Sequence, residues 1–171
     1  VKLEGGQSFA DTVRRIVQSG IPVMGHIGLT PQAINQLGGY RVQGTSSKAA
    51  IGVIEDARAL EEAGVYAIVL ECVPTQLAEM ITKRVSIPTI GIGAGVACDG
   101  QVQVFHDIMG LFTDFAPKHA RRYSNLANTI KEAADRYIRE VKDQAFPSNK
   151  ESYSMKQGVL DELSGRPIKL S

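Results

Sequence analysis

Short apolar runs and helical stripes alternate along this chain, and the runs close on a polar residue or a glycine. Val1-Lys-Leu-Glu4 predicts a first strand, stopped by Gly5-Gly6. Ser8 and Asp11 have the spacing of a helix-starting pair, and Phe9, Val13, Ile16 and Val17 make a stripe that Gly20 ends. Pro22 to Ile27 predicts a second strand, followed by a long loop through Thr30-Pro31 and Gly38-Gly39 to Gly44. Ser46 or Ser47 can cap the next helix, whose stripe is Ile51, Ile54, Ala57 and Leu60, stopped at Gly64. Tyr66 to Glu71 predicts the third strand, and Leu77, Met80 and Ile81 mark a helix over about 74–84. Ile87 to Gly93 predicts the fourth strand, running into Gly93-Ala-Gly95 and then a short helix over about 101–109. Leu126, Ile130, Ala134, Tyr137, Ile138 and Val141 predict an amphipathic helix. Beyond Pro147 the chain turns polar, with weak periodicity that reads as a peripheral or partly ordered tail.

Runs such as Tyr66-Ala-Ile-Val-Leu70 are apolar throughout, as strands buried on both faces of a parallel sheet are. Strand, helix, strand, helix, strand, helix, strand, joined by right-handed crossovers, predicts an α/β fold: a parallel sheet with its helices outside. A closed (β/α)8 TIM barrel takes roughly 250 residues, so this chain supplies about half of one. A free-standing open sheet is the alternative, but its first strand would present an unprotected edge. The chain opens inside a strand, at Val1, without an initiator methionine. A buried strand there needs a neighbour from elsewhere, and the expectation is a fragment.

Composition narrows the classes. The 171 residues are 43% hydrophobic and 22% charged, enough to bury a core. A net charge of +1 argues against an electrostatic nucleic-acid or membrane binder. No apolar run reaches membrane-spanning length and no signal-peptide pattern opens the chain, so the expected compartment is cytoplasmic. Cys72 and Cys98 lack a CxxC spacing and read as small buried thiols. With no Trp and few aromatics, the core must be aliphatic.

The candidate chemistry sits at the strand ends. A carboxylate closing an apolar strand is costly to bury unless it has a partner or a task, and the carboxyl ends of parallel strands are where reacting groups collect. Glu71 stands there as a candidate acid or base, or else as a cap on the helix that follows. Lys2 and Glu4, two apart on a strand, share a face, either as part of a site or as an ordinary ion pair. His26 closes the second strand and Gly93-Ala-Gly95 the fourth. That glycine turn has the look of a phosphate cradle, a weak signal alone. His106-Asp107 and Lys118-His119 lack the spacing of a zinc site and read as solvated or capping groups.

Several of these stretches occur together in one known family. Lys2-Leu-Glu4-Gly-Gly, Gly25-His-Ile-Gly-Leu-Thr-Pro-Gln32, Gly38-Gly-Tyr-Arg-Val-Gln-Gly44, Leu70-Glu-Cys-Val-Pro74, Ile90-Gly-Ile-Gly-Ala-Gly95 and Asp99-Gly-Gln101 with His106-Asp107 resemble the ketopantoate hydroxymethyltransferase family, in order from Val1 to about Pro147. The resemblance implies residues 1–147 as the C-terminal part of a single (β/α)8 barrel, with 148–171 as a tail. It implies transfer of a hydroxymethyl group from 5,10-methylenetetrahydrofolate to α-ketoisovalerate, giving ketopantoate on the route to coenzyme A, with Mg2+. Carried over by motif, Glu71 resembles the general base, Glu4 a residue of the metal site, and Lys2 and His26 the groups that hold substrate. Two aspartates that complete the family's metal site have no counterpart in this chain. A small 2-oxo acid, a folate, the N-terminal half of the barrel and further copies in a homo-oligomer (a decamer in the family) are the partners implied. The competing readings are another metal-dependent 2-oxo-acid lyase or mutase in the same barrel, and a non-catalytic half-barrel that binds through the glycine turn.

Overall fold

In the computed structural model, which describes residues 1–33 and 41–165, the apolar runs pair side by side. Strands β1 (Lys2–Glu4), β2 (Met24–Gly28), β3 (Ala67–Glu71), β4 (Thr89–Ile92) and β5 (Gly100–Gln101) form one sheet in the order β1-β2-β3-β4-β5, with every pairing parallel. Helices α1 (Ala10–Gln18), α2 (Ser47–Glu62) and α3 (Thr75–Thr82) lie in the connections between the first four strands. Spatial order that follows chain order means each crossover steps to the adjacent strand in the same direction. With crossovers of one hand, that places all the helices on one face.

The sheet register makes the two faces unlike. Side chains alternate along each strand, so Leu3, Ile27, Ile68 and Leu70 share one face. They pack with Val13 of α1, with Val53, Ala57 and Leu60 of α2, and with Leu77, Ala78 and Ile81 of α3. Leu60, Ile68, Leu70 and Ile81 are fully buried, each contributing about 2 kcal/mol by removal from water. Lys2, Glu4, His26, Val69 and Glu71 fall on the opposite face. The functional candidates are therefore kept apart from the helix-packed core by strand alternation alone.

Several elements differ from the sequence pattern. Ser46 caps α2, accepting from the Ala49 N–H at 3.3 Å. Ser8 caps nothing: it sits in a 3-10 turn (Gln7–Phe9), and Asp56 of α2 instead accepts the Gln7 N–H at 2.8 Å. On α2 the buried positions are Val53, Ala57 and Leu60, and Ile51 is exposed; on α3, Ala78 is buried and Met80 exposed. Gln101, where the short helix was expected to start, instead forms a strand with Gly100, pairing in parallel with Ile90 and Gly91, and the helix α4 is confined to Phe105–Ile108. Pro31–Ala33 forms a 3-10 turn in the long loop, whereas Gly38-Gly39 lies outside the described residues.

The described residues from Asn125 on make a second compact unit. Its helix α5 (Leu126–Lys142) falls where the amphipathic stripe predicts it, and carries the i,i+4 ion pairs Lys131–Asp135 and Arg136–Glu140. Tyr137 meets Phe146 edge to face at 5.5 Å. Helix α6 (Gln157–Ser164) forms in the tail, where periodicity marked none. Among the described residues no helix is long and apolar enough to cross a membrane.

Asp99 explains why β5 is a strand. Its carboxylate accepts the Thr89 N–H at 2.8 Å and the Thr89 hydroxyl at 3.0 Å, pinning the incoming chain beside β4. Those two bonds hold the Asp99 carboxyl below its ordinary range. A folded-state value below the unfolded one stabilises the fold above the ordinary carboxylate range, and that contribution is lost as pH falls through the lowered value. Asp99→Asn should therefore lower the melting temperature of the full-length protein at neutral pH, and the gap should close as the pH drops below about 4. Parallel wild-type and variant curves across that range would show that Asp99 does not act through its charge.

Candidate active site

Parallel strands carry their closing residues to one edge of the sheet, and the register decides which of them meet. Glu4 lies beside His26, and Gly28 lies beside Glu71. Lys2 joins them because it shares Glu4's face. Lys2 Nζ is 3.0 Å from His26 Nδ1 and 3.8 Å from Glu4 Oε1, while Glu4 Oε1 is 3.5 Å from the same Nδ1. On the other side of the ring, His26 Nε2 is 3.0 Å from Glu71 Oε2. All four residues expected at a site from the sequence are thus brought together.

Donor and acceptor counting fixes the imidazole. An ammonium can only donate, so Nδ1 accepts from Lys2 and the ring proton sits on Nε2, facing Glu71. The Nε2–Glu71 separation is short, but the approach is too oblique for a well-formed hydrogen bond. Among the described residues this buried nitrogen has no other partner. His26 is 1% exposed. A buried N–H left without a good acceptor costs about 1–3 kcal/mol, which a substrate oxygen placed at the strand ends would relieve. Lys2 remains half exposed, whereas Glu4 and Glu71 are mostly covered, so the cation is the member most open to an incoming anion.

Backbone contacts hold the Glu4 carboxylate and the Glu71 main chain in place. Glu4 Oε2 accepts the Gln32 N–H at 2.9 Å, tying β1 to the turn after β2. The Glu71 carbonyl accepts the Leu29 N–H at 2.8 Å. Gly28 makes that approach feasible: its φ is +89°, and a Cβ there would lie 2.3 Å from the Glu71 carbonyl oxygen. Glu71 does not cap α3. The N-cap position is Pro74, with no side-chain cap bond.

The glycine turn after β4 is closely packed against its neighbours. A Cβ on Gly93 would meet the His119 side chain at 3.1 Å, and one on Gly95 would meet Thr75 at 2.4 Å. Lys118-His119, read from sequence as a solvated or capping pair, instead brings His119 to the strand ends, with Nδ1 3.8 Å from Cys72 Sγ. Cys98 is buried as expected, but Cys72 is only half-buried; burial and then the neighbouring Glu71 charge push its thiol up. The Cys72–His119 contact spans 47 positions, and no local spacing encodes it. Among the described residues no three His, Cys, Asp or Glu side chains gather as a metal site.

A parallel sheet whose strand ends gather a buried imidazole, an ammonium and two carboxylates is the layout in which α/β enzymes place their reacting groups. Residues 1–149 match the family described as ketopantoate hydroxymethyltransferase, and the chain belongs to that family. It is 60% identical over 163 residues to 3-methyl-2-oxobutanoate hydroxymethyltransferase of Dehalococcoides mccartyi. It is 54% and 51% identical to proteins of the same name from Carboxydothermus hydrogenoformans and Enterococcus faecalis. Each alignment covers 95% of this chain but 58% or 59% of the relative, so the chain spans less than two thirds of the curated relatives it matches.

The Gly28 geometry gives a direct test. Gly28→Ala puts a side chain in the left-handed region and against a carbonyl, and should destabilise the full-length protein by about 3 kcal/mol. Chemical denaturation measures it; a loss below about 1 kcal/mol, the size of an ordinary surface change, would show that the Gly28–Glu71 approach is loose.

Proposed function

We propose that this chain carries the proton-abstracting part of a ketopantoate hydroxymethyltransferase, acting on α-ketoisovalerate with 5,10-methylenetetrahydrofolate as one-carbon donor. The observation that carries the reading is the convergence of Lys2, Glu4, His26 and Glu71 at the strand ends. Lys2 holds the substrate carboxylate as a fixed charge. Glu71 removes the proton from C3, next to the ketone. Negative charge then develops on the keto oxygen, where the His26 Nε2–H is a preorganised donor. Overall one water is consumed: the carbon nucleophile bonds to the methylene carbon of the folate, both C–N bonds of that carbon break, and water supplies the hydroxyl oxygen. The proton from C3 and one from the water go to the two nitrogens of the departing tetrahydrofolate.

Family membership and the names of the relatives support the one-carbon chemistry. Mg2+ is a separate matter. It prefers about six oxygen ligands, and of this chain's residues only Glu4 is proposed as one. The described residues do not by themselves fit the ion. A strand order that follows chain order supports reading the sheet as part of a (β/α)8 barrel, with residues 1–147 as its C-terminal part and 148–171 as a tail. The remaining strands come from the N-terminal half, and the completed protein is a cytoplasmic homo-oligomer, as the resemblance implies.

Glu71→Gln keeps the shape and removes the base. In the full-length enzyme, deuterium exchange at C3 of α-ketoisovalerate without folate should fall about 10²-fold or more, with substrate binding largely retained. Exchange at the wild-type rate would take Glu71 out of that role. Lys2→Met should raise KM for the keto acid while leaving KM for the folate unchanged. An unaltered keto-acid KM would leave Lys2 as a partner of Glu4 alone.

A further inference from the structure

The residue after Glu71 is held in an unusual way. Cys72 has φ +48°, in the left-handed region that a non-glycine residue enters only when its surroundings impose it. Both of its backbone groups are committed: its N–H donates to the Ile92 carbonyl at 2.9 Å, and its carbonyl accepts the Gln43 N–H at 2.8 Å. Those bonds tie the end of β3 to β4 on one side and to the segment before α2 on the other. The side chain is fixed by a third segment. His119 sits against the Gly93 turn, its Nδ1 3.8 Å from Cys72 Sγ, and its carbonyl accepts Gln103 Nε2–H at 3.2 Å.

We propose that His119 is a positioning residue for Glu71: its imidazole accepts the Cys72 S–H and so locks the left-handed turn that aims the Glu71 carboxylate at His26. The inference rests on the reading of Glu71 as the base. Burial and the Glu71 charge both keep Cys72 as the protonated thiol, which makes it the donor and His119 Nδ1 the acceptor. A peptide plane joins Cys72 to Glu71, so a rotation at Cys72 swings the carboxylate. Misplacing a reacting group by about 1 Å is enough to cost up to 10²-fold in rate.

The variants separate an acceptor from a filler. His119→Phe keeps the bulk over Gly93 but has no acceptor, whereas His119→Asn places a carbonyl oxygen close to the Nδ1 position. In the full-length enzyme, His119→Phe should slow folate-independent C3 exchange about tenfold with keto-acid KM within about twofold, and His119→Asn should restore most of the rate. In a Cys72→Ala background, His119→Phe should cost less than about twofold more, because the contact is already gone. Equal losses in the Phe and Asn variants, or full additivity with Cys72→Ala, would overturn the proposal in favour of simple packing. If His119→Phe does not fold, Cys72→Ser, which keeps a donor, against Cys72→Ala decides it: a Ser variant no faster than Ala overturns the latch. Failure here stays distinct from failure of the functional reading. Abolished exchange in Glu71→Gln with unaltered exchange in His119→Phe removes the latch and keeps the base.

Discussion

The site depends on burying one imidazole between opposite kinds of charged group. His26 is almost wholly removed from water, with an ammonium 3.0 Å from one nitrogen and a carboxylate 3.0 Å from the other. A buried ring with polar atoms on both sides is destabilised by whichever side is left poorly served. Lys2 serves Nδ1 well, and Glu71 serves Nε2 poorly. That asymmetry is the chemically useful feature. The ring is locked into one tautomer, and the resulting N–H is left with capacity for a substrate oxygen.

The fold delivers this arrangement with few residues because the strands are parallel and in chain order. The register that sets Glu4 beside His26 also sets Gly28 beside Glu71, so the three strand ends are aligned without long loops. Alternation then sends Ile27, Ile68 and Leu70 into the helix-packed core while their neighbours His26, Val69 and Glu71 take the other face. A shift of register by one residue would exchange the two sets, putting a carboxylate into the aliphatic core. Core stability and site geometry are therefore two consequences of the same hydrogen-bond ladder.

Much of this was legible in the sequence for a plain reason. A parallel strand buried on both faces reads as a continuous apolar run, and a polar residue that ends such a run stands out. Glu71 and His26 were visible on those terms, and Lys2 and Glu4 through their shared face. What was not legible is non-local. Gly100–Gln101 has no apolar pattern and becomes a strand because Asp99 binds Thr89, ten positions away. On α2, Ala57 and Leu60 are buried as their spacing predicts, but Val53 is buried where Ile51 is exposed, and on α3 Ala78 is buried where Met80 is exposed. Which flank of a helix is covered depends on what it packs against. The left-handed Cys72 and its contact with His119 exist only once β3, β4 and the segment after α4 are assembled.

In the proposed reaction, Lys2, His26 and Glu71 act on one substrate from three adjacent strand ends. The position of α-ketoisovalerate in a crystal structure of the full-length protein tests it most directly. The expected pose has the carboxylate within about 3 Å of Lys2 Nζ, the keto oxygen at His26 Nε2, and C3 within about 3.5 Å of the Glu71 carboxylate. A keto acid bound with C3 turned away from Glu71, or held without Lys2 and His26, would contradict it.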